Sequence, residues 1–234
     1  MDEVTRQAYL TAMGIDVWTP RSIAPVELDT SVLAGSEVSK MSLEVAQPAT
    51  SEWSALQQRV SVCTLCDLHK DRTQTVFGVG NRDADLMIIG EAPGAEEDRQ
   101  GEPFVGRAGK LLNAMLSAIG FRRKEVFIAN ILKCRPPQNR DPLPGEAAVC
   151  ESYLLEQIAL IRPRMILAVG RIAAQNLLKV QTPIGKMRGQ RYTFGALNIP
   201  VVVTYHPAYL LRSPAQKRVV WQDLLVVKRT MEAV

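Results

Sequence analysis

Three groups of residues carry potential chemistry. The first is the stretch GEAPGAEEDRQGEPFVGRAGKLL, residues 90–112, which leaves the apolar run DLMIIG with five glycines, two prolines and five acidic residues around a single phenylalanine, Phe104. A phosphate-cradling loop is rich in glycine and basic; this one is rich in glycine and acidic, which points to a ligand other than a bare phosphate. The second group is the four cysteines, with Cys63 and Cys66 in a Cys-x-x-Cys pair and Cys134 and Cys150 separated by fifteen residues. Four thiols in a protein expected to be cytoplasmic are not expected to pair as disulfides. A thioredoxin-like reading requires the pair to sit in a βαβ unit, and here it precedes the first strand. A metal site remains, either zinc held by four thiolates or a [4Fe–4S] cluster, since both accept the same ligands. The third group is polar residues beside apolar runs. Asn130 lies inside VFIANIL, where an unpaired amide is costly. Of the two histidines, His69 sits between charged neighbours and reads as solvated, whereas His206 follows an apolar run and precedes Pro207.

The elements that must position these residues are legible as alternation. DLMIIG (85–90), VFIANIL (126–132), RMILAVG (164–170) and IPVVVTYHP (199–207) are continuous apolar runs bounded by charge, Gly or Pro, the pattern of strands buried on both faces. Helical spacing fills 106–120, 144–161, 171–180 and 212–231. This order predicts an α/β domain, three layers α/β/α, with a central, mainly parallel four-stranded sheet and an N-terminal extension. Ligands of such sheets bind outside the carboxyl ends of the strands. That edge carries GEAPG, Asn130 with ILKCRPP, Gly170 with Arg171, and YHPAYLLR.

Composition bounds the rest. With 234 residues and 47% hydrophobic content the chain can bury a substantial core. No apolar run approaches the roughly eighteen residues of a membrane span, so a cytoplasmic protein with no membrane partner, acting as a monomer, is expected. Residues 1–62 hold four basic and eight acidic residues while 63–234 hold twenty-four basic and sixteen acidic, so the body carries about +8, suited to a polyanionic partner. Residues 22–50, rich in Ser, Ala, Val, Thr and Pro without a period, read as a flexible linker to a domain over 51–234. Ahead of it, residues 1–21 read as a short helix or a docking peptide, with Tyr9, Leu10, Met13 and Ile15 as its apolar face and Trp18 following. Their pattern, Leu-x-x-Met-Gly-Ile-x-x-Trp, resembles the N-terminal peptide with which the psi subunit of the bacterial replicative clamp loader binds its collar, which implies a partner in the replication machinery.

The ordered set Cys-x-x-Cys, GEAPGAEEDRQGEPFVGRAGKLL, NILKCRPPQNRDP, a second downstream cysteine, VGRIAAQNLL and HPAYLLRSP strongly resembles the family 4 uracil-DNA glycosylases over about residues 55–230. The resemblance implies a [4Fe–4S] cluster held by Cys63, Cys66, Cys134 and Cys150, and uracil-containing DNA, single- or double-stranded, as substrate. An enzyme that acts on a base must flip it out and read its edge. On that reading the backbone of Gly90 and Ala92 approaches the base, Phe104 stacks on it, and Asn130 pairs with a carbonyl and N3–H in a way cytosine does not match. Glu97 is then the residue facing the position of the thymine methyl, though Glu96 and Asp98 lie beside it and any of the three could instead open the next helix. His206 donates to O2 of the leaving base. Leu210 or Leu211 wedges into the vacated stack while Arg212, Lys217 and Arg218 meet phosphates. The Pro-stiffened loop 135–140 either touches DNA or surrounds the cluster.

Where the family 1 enzymes carry a water-activating Asp, this chain has Ala92, which leaves Glu91 to position water or hold the loop and implies a dissociative path. Two rival readings stand beside this one. A related branch traps uracil-DNA covalently through a histidine in a Lys-Arg-Arg-Ile-His insertion, which this sequence lacks after its third cysteine. A non-catalytic DNA-binding iron–sulfur module, tethered to replication machinery, would have a degenerate pocket, against which Phe104, Asn130 and His206 speak.

Overall fold

The computed structural model describes residues 50–232. The expected N-terminal peptide 1–21 and linker 22–50 lie outside the described residues, apart from Thr50 at the start of the first helix. In chain order the elements are α1 (Thr50–Ser61), β1 (Val79–Gly80), β2 (Leu86–Gly90), α2 (Ala95–Gln100), α3 (Arg107–Ala118), β3 (Phe127–Asn130), α4 (Pro144–Ile161), β4 (Met165–Val169), α5 (Arg171–Leu178), α6 (Ile184–Met187), β5 (Tyr192–Phe194), β6 (Ile199–Thr204), α7 (Pro207–Arg212) and α8 (Lys217–Glu232).

The sheet order is β1-β3-β2-β4-β6-β5. The four apolar runs form its parallel centre, in register Gly90 to Asn130 across β2 and β3 and Val169 to Thr204 across β4 and β6. The sheet has six strands rather than four, because β1 and β5 add short antiparallel edges. These edges are two and three residues long and carry no apolar run, so periodicity had nothing to detect.

Alternation along the strands divides the core into two faces, giving the three layers. Met87, Ile89, Ala129, Ile166, Ala168 and Val203 pack with Leu56 of α1, Leu154 and Ile158 of α4 and Leu177 of α5. Ile88, Ile128, Leu167 and Val169 point the other way, onto Leu112 and Leu116 of α3, Leu210 of α7 and Leu224 of α8. The helical stretch expected over 212–231 is broken, because Pro214 cannot continue the turn of α7 and instead opens a single 3-10 turn, Pro214–Gln216, ahead of α8. Among the described residues no helix is long and apolar enough to cross a membrane.

Candidate functional site

All four central strands end at one edge, and a cavity of about 420 Å³ opens there. It is lined by Glu91 and Ala92 of the loop after β2, by Glu97 of α2, by Phe104, by Asn130 at the end of β3, and by His206 and Arg212 at the two ends of α7. Seven residues singled out in the sequence are thus brought together. Gly90 lies directly behind them: a Cβ there would stand 2.4 Å from Asn130 Oδ1 and 2.7 Å from the Phe104 ring. The strand therefore ends in glycine because two pocket side chains occupy the space a side chain would need.

Asn130 is buried, and its Oδ1 is the one buried side-chain nitrogen or oxygen among the described residues without a hydrogen-bond partner. A buried carbonyl left unpaired costs about 1–3 kcal/mol, so its placement on a cavity wall marks a position for a ligand donor. The backbone beneath it is fixed by a residue that sequence reading passed over. Lys133 is fully buried and donates through Nζ to the Asn130 carbonyl at 2.9 Å and to Gln157 Oε1 at 2.6 Å. Burial pushes its pKa down to about 8. A lysine inside the apolar run NILKC was the available signal.

His206 is the N-cap of α7, and its Nδ1 accepts from the Ala208 backbone N–H at 3.1 Å. Burial first, and then the nearby Arg212 charge, pushes its pKa down to about 4. The ring is therefore neutral near pH 7, and with Nδ1 acting as acceptor its proton resides on Nε2, free to be donated. Its ring stacks on Phe104 at a centroid distance of 5.5 Å and an angle of 29°. Gly170, after β4, makes room for it, since a Cβ there would come within 3.1 Å of the His206 Cβ.

The acidic loop separates into different jobs. Glu97 Oε2 accepts from Gly94 N–H, while Oε1 accepts from Val105 N–H at 3.0 Å and Gly106 N–H at 3.1 Å, so one carboxylate ties both ends of the loop around α2. Asp98 is buried and accepts from Thr73 N–H, and Glu96 pairs with Arg99 on the surface. Glu91 is partly buried; burial, then the Asp141 charge, raises its pKa to about 7 against the opposing pull of Arg171.

Pro136, Asn139, Arg140 and Tyr209 complete the wall. The loop over 135–140 thus borders the cavity, with Gln138 and Asn139 in left-handed backbone and Arg140 held in a bidentate pair by Glu146. Of the two wedge candidates, Leu210 is corrected: it is buried in the core beneath α7 and is not available for insertion without lifting the helix. Leu211 is the partly exposed one.

A second, small cavity on the same face as α4 is lined by Cys63, Cys66, Cys134 and Cys150 together. All four are free thiols. Burial raises the pKa of Cys134, against an Arg72 guanidinium 3.0 Å from its Sγ, and raises Cys150 to about 11. Among the described residues no three His, Cys, Asp or Glu side chains converge tightly enough to hold a single metal ion.

An α/β domain with a cavity at the carboxyl edge of its sheet, lined by a partnerless amide oxygen and a neutral histidine donor, has a wall that can hydrogen-bond the edge of a flat polar ring. The model of the Uracil DNA glycosylase superfamily matches residues 77–225, and the chain belongs to that superfamily. Within it the chain is 48% identical over 163 residues to the type-4 uracil-DNA glycosylase of Archaeoglobus fulgidus, covering 67% of this chain and 82% of the relative. It is 44% identical over 172 residues to the type-4 enzyme of Thermotoga maritima, covering 72% and 89%. A type-5 uracil-DNA glycosylase of Pyrobaculum aerophilum is more distant, at 30% over 146 residues, covering 56% of this chain and 64% of the relative.

Proposed function

We propose that this protein flips uracil out of DNA and hydrolyses its N-glycosidic bond, the first step of base excision repair. The observation that carries the reading is the buried, unpartnered Asn130 Oδ1 on the cavity wall. Uracil N3–H satisfies that oxygen while the Asn130 amide donates to O4. Cytosine presents an acceptor at N3 and a donor at its amino group, so acceptor would face acceptor and donor face donor. Phe104 gives the flipped ring a stacking face, worth about 1–3 kcal/mol.

As the C1′–N1 bond breaks, its electron pair leaves with the base and charge collects on O2. His206, neutral with its proton on Nε2, donates there; a ring already neutral spends nothing on losing a proton before it acts. Water then adds to C1′ and releases a proton, leaving free uracil and an abasic site. No Asp stands at Ala92; of the two carboxylates on the wall, Glu97 is occupied by three backbone N–H groups, which leaves Glu91. In its ionised form it favours both the cationic sugar and the incoming water. Leu211 and Arg212 extend from α7 toward DNA, the first as wedge and the second on phosphate.

Four thiols around one cavity are the donor set that a [4Fe–4S] cluster takes. Cys63 and Cys66 after α1, Cys134 after β3 and Cys150 of α4 would hold such a cluster, which would tie these three segments together. Cys134→Ser is expected to bleach absorbance near about 400 nm and to lower the melting temperature by roughly 5–10 °C. Unchanged colour and melting would remove these ligands from the proposal.

Single-turnover release of uracil from an oligonucleotide tests the activity, and its pH profile tests Glu91. With its pKa raised to about 7, Glu91 is protonated below that pH and ionised above it. If the ionised form is the useful one, the rate rises through about pH 7 and levels off above. Glu91→Gln is expected to flatten that step at a lower rate; a Gln variant that keeps the same step would take Glu91 out of the mechanism.

A further inference from the structure

Phe104 has a left-handed backbone, with φ of 54°. A bulky L-residue holds that conformation only where its surroundings impose it. The surroundings here converge on its carbonyl. Arg123 Nη1 donates to the Phe104 carbonyl at 3.3 Å and Nη2 to the Pro103 carbonyl at 2.6 Å. The same Nη1 lies 3.3 Å from Asn113 Oδ1 on α3. From the other side α3 presses Gly109 so close that a Cβ would stand 1.7 Å from the Phe104 oxygen. Arg123 comes from the 3-10 turn Arg123–Glu125 ahead of β3, remote in sequence from Phe104. Its side chain is partly buried, and its closest carboxylate, Glu102, is 3.9 Å away. A partly buried charge committed to two backbone carbonyls holds geometry and gives little as an ion pair.

We propose that Arg123 is a positioning residue for base stacking: by gripping the carbonyls of Pro103 and Phe104 it fixes the Phe104 ring against His206 as the platform for the flipped pyrimidine. The inference rests on the stacking role given to Phe104 above. It places a determinant of uracil affinity behind the pocket wall, on a residue that touches no substrate.

A double-mutant cycle on the full-length protein tests it, with single-turnover rate followed against enzyme concentration for a uracil-containing oligonucleotide. Arg123→Met is expected to raise the half-saturating concentration about tenfold, and Arg123→Lys, which keeps one donor, to recover part of that loss. In a Phe104→Ala background the Arg123 substitution is expected to add less than twofold, because the group it acts through is gone. If the two losses multiply, Arg123 supports the fold generally and the inference falls. If Phe104→Ala alone costs nothing, the stacking role itself fails, and the inference with it. Should Arg123→Met not fold, the cycle is run with Arg123→Lys, where the same non-additivity is required.

Discussion

Replacing His206 with alanine is expected to lower the single-turnover rate of uracil release by about 10²–10³-fold, the usual cost of removing one preorganised donor to a developing oxyanion. The expectation depends on protonation as much as on position. Because Nδ1 is committed to the Ala208 N–H, the ring offers its remaining proton through Nε2. Because burial pushes its pKa down to about 4, the ring stays neutral throughout the working range of pH. An ordinary histidine would begin to charge near pH 6.5; this one is not expected to impose an acid limb on the rate until far lower. The affinity of the variant for uracil-containing DNA should change only a few-fold, since the interaction is made with charge that appears in the transition state. Glu97→Gln provides the comparison. Glu97 is occupied by three backbone N–H groups, so its loss loosens the loop and should cost much less than the loss of His206. Equal losses for the two variants would contradict the assignment of leaving-group stabilisation to His206.

Gly90→Ala is expected to abolish uracil excision, by about 100-fold or more, while leaving the fold intact. The φ of Gly90 is not in the left-handed region, so alanine is tolerated by the backbone. What the new methyl meets is the pocket: Asn130 Oδ1 at 2.4 Å and the Phe104 ring at 2.7 Å. Both side chains must yield, and both line the cavity the base is to occupy. The stability cost should be that of modest overpacking, about 1–3 kcal/mol, visible as a small fall in melting temperature. An alanine variant that releases uracil at a rate within threefold of the parent would mean that Asn130 and Phe104 do not form the base-reading wall.

The four parallel strands were legible because each is a continuous apolar run, and the runs necessarily bring Gly90, Asn130 and the residues after Thr204 to a common edge. The edge strands were not, because Val79–Gly80 and Tyr192–Phe194 are held by pairing to neighbours rather than by any pattern of their own. Among the site residues, those in short, unusual contexts could be picked out: an amide inside an apolar strand, and a histidine between a strand and a proline. Lys133 stands out in NILKC but its role does not, and Arg123 carries no signal at all, because both roles are set by partners far along the chain, Gln157 in one case and the Phe104 turn in the other. Leu210 and Leu211 show the same limit at one position of separation. Sequence marks both as apolar beside a basic residue, and only the phase of α7 against α3 buries the first and leaves the second partly exposed.

The most direct test is a single-turnover assay of anaerobically purified full-length protein on matched oligonucleotides carrying U, T or C at one position, with the visible absorbance of the same sample recorded. Release of base from the U strand and not from the C strand, by a protein that is brown, is the predicted result: Asn130 reads the N3 and C4 edge by which uracil differs from cytosine, and the four thiols hold their cluster. A brown, folded protein that binds all three strands and releases no base would contradict it, and the roles given to Asn130 and His206 would have to be withdrawn.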